Sequence, residues 1–93
     1  MALVSGGTPE ETIRTVFPAE LEAWALRVGY CESGLNPMAW NDWGYGHYGI
    51  YQISGIHAYR WADFWDNWDD ARRNAEMALE LVLEQGAQIW QCQ

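Results

Sequence analysis

Apolar positions change their period along the chain, and each change predicts an element. Thr8-Pro9-Glu10-Glu11 reads as a helix start, with Thr8 as N-cap, Pro9 at the first helical position and acids in the first turn. Pro18 disfavours helical geometry in the residue before it, so that helix ends near Phe17. From Ala19 to about Ser33, Leu21, Trp24, Ala25 and Val28 recur at i, i+3, i+4, i+7, one stripe facing a core. The spacing extends the stripe to Cys31 and leaves Glu32 beside its edge. Gly34 and Asn36-Pro37 then stop the helix.

Between Asn36 and Ile53 the helical period gives way to short aromatic runs broken by Gly44, Gly46 and Gly49, which predicts a small hairpin or irregular turn, a β wing. Residues 54–65 read as an aromatic, partly helical connection. Asp66-Asn67-Trp68-Asp69-Asp70 offers several N-caps for a last helix from about Asp70 to Gln85. Its stripe is Ala71, Ala75, Ala78, Leu79 and Val82, and Gly86 ends it. The expected fold class is α+β, mainly α: a leader over residues 1–7, then a single domain over 8–93. The leader is too short and uncharged to be a secretory signal.

Ninety-three residues sit near the lower limit of what one core stabilises unaided. The formal net charge of -8, with arginine as the only basic residue, argues against nucleic acid or an anionic membrane as partner. No run of about eighteen apolar residues predicts a membrane span. Seven tryptophans exceed what so small a core needs, so some are expected in a surface cleft, where flat faces suit a sugar ring or a peptide. Cys31 and Cys92 cannot build a zinc site alone. Bridged, they close a loop of about 60 residues, worth roughly 4 kcal/mol on chain entropy; unbridged, they are two buried thiols.

The candidate chemistry centres on Cys31-Glu32-Ser33-Gly34-Leu35-Asn36-Pro37. A carboxylate in the last turn of a helix is half buried by that helix, and desolvation raises its pKa, so Glu32 is the candidate general acid. The plainer reading is a solvated helix-end acid, although a negative charge at a helix C-terminus is mildly unfavourable. His47 and His57 could carry protons at about pH 6.5, but neither has a Ser or Cys nucleophile in a triad frame. Asp63, Asp66, Asp69 and Asp70 lack the spacing of a calcium loop and read as helix caps. No metal or cofactor is implied.

Three blocks occur in order: Glu32-Ser33-Gly34-Leu35-Asn36-Pro37, Tyr48-Gly49-Ile50-Tyr51-Gln52-Ile53 and Asn74-Ala75-Glu76-Met77-Ala78. They resemble the signature blocks of the lytic transglycosylase and goose-type lysozyme superfamily. Trp90-Gln91-Cys92 resembles the ending of its small secreted or phage-borne members, in which a cysteine before the catalytic Glu is also present. The resemblance implies a lysozyme-like fold with a central helix and a β wing beside a sugar-binding cleft. It implies cleavage of the β-1,4 bond between N-acetylmuramic acid and N-acetylglucosamine in peptidoglycan glycan strands, by a monomer that is secreted, extracellular or virion-associated.

Carried over by position, Glu32 is the general acid, Ser33 lies near it, Gln52 lines the cleft and Asn74 braces the site. Tyr48, Tyr51 and Trp43, with Trp40 and Tyr45, are the candidate sugar-stacking set. Asp42 is the candidate second carboxylate if it faces Glu32, which would make a hydrolase; if it is a turn residue, the reading favoured by Asn41-Asp42, the product is a 1,6-anhydro sugar. The competing expectations are a non-catalytic wall-binding or virion module with the same fold, and a small secreted inhibitor or interaction domain.

Overall fold

A computed structural model describes residues 7–92. The leader expected over residues 1–7 thus lies, but for Gly7, outside the described residues. Helix α1 spans Pro9–Val16 and begins in a reciprocal capping box, in which Thr8 Oγ1 accepts from the Glu11 amide and the Glu11 side chain accepts from the Thr8 amide. Phe17 follows in extended geometry, as Pro18 requires. Helix α2 spans Ala19–Ser33 and stops at Gly34, whose left-handed backbone (φ 67) lets its amide reach back to the last turn. Helix α1 packs against both α2 and α4, burying Ile13 and Phe17.

The wing is a three-stranded antiparallel sheet of very short strands, β1 (Trp40–Asn41), β2 (His47–Tyr48) and β3 (Ile53–Ser54), in that order. Its register pairs Trp40 with Tyr48 and Tyr48 with Ile53; one residue on, Asn41 pairs with His47 and His47 with Ser54. Successive residues of a strand face opposite sides, so Asn41, His47 and Ser54 share one face and Trp40 and Tyr48 the other. A 3-10 segment (Gly55–Arg60) follows β3, and the short helix α3 (Phe64–Asn67) covers the Tyr48 side. Helix α4 spans Ala71–Gln85, capped by Asp70, whose carboxylate accepts from the Arg73 amide, and ends at Gly86. A second 3-10 turn (Ala87–Ile89) leads into the tail. The architecture is mainly helical α+β, as expected.

The stripes differ in register from those expected. On α2 the buried positions are Ala25, Val28 and Gly29, so the stripe runs on at i, i+7 into half-buried Glu32, while Cys31 is exposed. Gly29 is buried because the Ile50 and Leu35 side chains press against its backbone, each about 3.1 Å from where a β-carbon would stand. On α4 the fully buried residues are Asn74, Ala75, Met77, Ala78 and Leu81, with Ala71, Leu79 and Val82 only partly covered. Trp90 in the tail is buried edge-on against Trp24, with ring centroids 5.4 Å apart, and its indole donates to the Tyr51 carbonyl at 2.9 Å. That fold-back joins Cys92 to Cys31 in a disulfide, Cα to Cα 5.8 Å.

Candidate active site

The end of α2, one face of the wing and the tail enclose a cleft of about 300 Å³. Glu32 enters it from α2. Asn41, Trp43, His47, Gln52 and Ser54 form the wing wall, and His57, Leu81, Ile89, Trp90 and Gln91 close the other side. Burial holds the Glu32 carboxyl above the ordinary carboxylate range; the Cys92 amide, which donates to Oε2 at 3.3 Å, and the charge of His47 offset part of this effect. The net direction is upward, which favours the protonated acid. Among the described residues Glu32 is the one carboxylate lining this cleft.

The wing wall is held rigidly by Gln52. Its Nε2 donates to the carbonyls of Ala39 (3.2 Å) and Gly49 (3.1 Å), and its Oε1 accepts from Asn41 Nδ2 at 3.1 Å. These bonds keep Gln52 in left-handed backbone geometry (φ 49), which costs an L-residue about 1 kcal/mol or more. Asn41 Oδ1 then accepts from the Trp43 amide (3.0 Å) and faces His47 Nδ1 (3.1 Å). Trp43 is 77% exposed and lies roughly parallel to the His47 ring, 6.1 Å between centroids, as a flat surface at the cleft mouth.

Several expected site residues stand elsewhere. Tyr51 is fully buried: its hydroxyl donates to the Ala25 carbonyl at 2.8 Å, burial pushes its phenol well above the ordinary range, and no sugar can stack on it. Tyr48 belongs to the far face of the wing, stacked on Trp40 at 6.5 Å and edge-on to Phe64 and Trp65. Ser33 does not bond the Glu32 carboxyl; its hydroxyl donates to the Gly29 carbonyl and accepts from the Asn36 amide, closing the turn after α2. Asn74 braces rather than binds. Fully buried, it accepts from the Tyr51 amide at 2.9 Å and donates to the Tyr48 carbonyl at 3.1 Å. Gly49 makes this brace possible, since a β-carbon there would strike the Asn74 amide and its φ of 81 favours glycine. Asp42 is an exposed residue just beyond β1 and does not line the cleft, and Tyr45, also exposed, does not line it either.

His47 and His57 are the cleft residues that sequence reasoning set aside. For His47 the legible signal was strand alternation, which sets it opposite Tyr48 and beside Asn41. His57 has its pKa lowered first by burial and then by the charge of Arg60, with Glu84 opposing. Asp70 caps α4, as the helix-cap reading requires, whereas Asp63, at the N-cap position of α3, makes no side-chain cap bond and is engaged by Arg73 through bonds of 2.7 and 3.0 Å. Among the described residues no group of three or more His, Cys, Asp or Glu is placed to hold a metal ion, and no helix is long and apolar enough to cross a membrane.

No family model matches the chain, and neither a curated protein nor a solved structure does.

Proposed function

We propose that the protein is a glycosidase that cleaves the β-1,4 bond between N-acetylmuramic acid and N-acetylglucosamine in peptidoglycan, with Glu32 as general acid. The observation that carries this reading is a half-buried carboxyl, held towards its protonated form by burial, opening onto a cleft with an exposed aromatic mouth. A proton donor near neutral pH is what an alkoxide leaving group needs, and a flat indole suits the apolar face of a sugar. The order of the three sequence blocks and the disulfide beside the acid fit the lysozyme-like resemblance and an extracellular or virion setting. The position of Asp42 outside the cleft removes the obvious second carboxylate.

Incubation of purified peptidoglycan with the wild-type protein and with Glu32→Gln tests the reading. Soluble fragments from the first and none from the second are expected. Retention on peptidoglycan without any fragments would favour the binding-module reading, for which exposed Trp43 supplies a flat face.

A further inference from the structure

We infer that His47 is the general base of the same site, receiving through Nε2 the proton of the hydroxyl that attacks the sugar. The inference rests on the glycosidase reading. It follows from a chain of hydrogen bonds whose directions are fixed from one end. Backbone carbonyls only accept, so the Gln52 group facing Ala39 and Gly49 is its NH2, and its other atom is the acceptor. Asn41 therefore presents Nδ2 to Gln52 and Oδ1 to His47, and the Trp43 amide donating to that same Oδ1 fixes the orientation independently. An acceptor oxygen opposite Nδ1 requires that Nδ1 carry the proton. The neutral imidazole is thereby held with a lone pair on Nε2, which has no hydrogen-bond partner among the described residues, on a ring that lines the cleft.

The reaction then balances. Glu32 gives its proton to the glycosidic oxygen as the C1–O bond breaks, a hydroxyl oxygen bonds to C1, and that hydroxyl's proton passes to Nε2. Proton exchange with solvent resets both groups. The hydroxyl belongs either to water or to the 6-position of the cleaved sugar. Acid and base come from different walls of the one cleft, α2 and β2. The other titratable group bordering the cleft, His57 on the 3-10 segment, has no comparable orienting amide among the hydrogen bonds of the described residues.

The test is the pH profile of fragment release from purified peptidoglycan by the wild type, His47→Gln and His47→Asp. Loss of a general base costs about 10²-fold or more. For His47→Gln we expect that loss, with the bell-shaped profile reduced to a one-sided decline with rising pH, because only the acid's protonation still matters. His47→Asp restores part of the rate, which a merely structural role would not allow. Reducing-end fragments identify water as the nucleophile, and 1,6-anhydro fragments identify the 6-hydroxyl. An unchanged rate and bell in His47→Gln overturns the inference alone; a folded wild-type protein releasing nothing overturns the glycosidase reading and this inference with it.

Discussion

The amide of Cys92 donates to the carboxylate of Glu32 at 3.3 Å across 60 residues of sequence. The disulfide one residue before the acid makes this contact possible, since it ties the tail to the end of α2 and with it the cleft wall of Ile89, Trp90 and Gln91. Cys92→Ser, with Cys31→Ser to avoid a free thiol, is therefore expected to lower stability by about 2–4 kcal/mol. It should lower activity further by releasing that wall. Urea titration separates the two effects when rates are measured well below the unfolding midpoint.

Glu32 itself is a stability liability at neutral pH. Its folded pKa lies above the ordinary 4.5, so the folded state binds that proton more tightly than the unfolded state does. The stabilising contribution is complete below the unfolded pKa and is lost as pH rises through the folded value. Glu32→Gln keeps an acceptor for the Cys92 amide without the charge. It should melt at a higher temperature than wild type at pH 7, with the difference fading in acid.

Glu84 has the opposite sign. Two bonds from Arg60, 2.8 and 2.7 Å, hold its carboxyl down to about 2. A depressed pKa contributes stability above the unfolded value, and that stability disappears as pH falls from about 4.5 towards 2. Glu84→Gln is expected to melt below wild type at neutral pH and together with it at the acid end of that window. The Glu84 carboxylate is about half exposed, so the difference should also shrink in high salt.

Asn74→Ala leaves the buried Tyr51 amide and Tyr48 carbonyl without partners, at about 1–3 kcal/mol for each. Because Asn74 does not line the cleft, the residual folded protein should keep its rate per folded molecule. A thermal melt together with activity normalised to the folded fraction checks this.

Trp43→Ala removes an exposed ring from the cleft mouth and no core contact. It should weaken binding to glycan fragments about tenfold, in line with the roughly 1.4 kcal/mol that a stacked aromatic contributes, while leaving the melting temperature within error. Isothermal titration with soluble glycan oligomers reads the affinity.

Helix boundaries were legible because single residues dictate them: Thr8 and Pro18 frame α1, Gly34 stops α2, and Asp70 and Gly86 bound α4. The stripe on α2 was misplaced by two residues' chemistry. Gly29 has no side chain to register as apolar although its backbone is packed, and Cys31 counts as apolar although its sulfur is spent on the tail. The helix-end position marked Glu32, the resemblance marked Gln52 and the aromatic content of the wing marked Trp43, and the fold brings the three to one cleft. The aromatic residues of the wing could not be sorted from sequence. The turn over residues 49–52, ending in left-handed Gln52, breaks the strand alternation and sends Tyr51 inward against Ala25 while His47 faces the cleft.

Mass spectrometry of the soluble fraction of purified peptidoglycan, after treatment with the wild-type protein or with Glu32→Gln, is the most direct measurement. Glycan fragments are expected from the wild type and none from the variant, with both proteins folded. Equal fragments from both, or none from a folded wild type, would contradict the glycosidase reading with Glu32 as its acid.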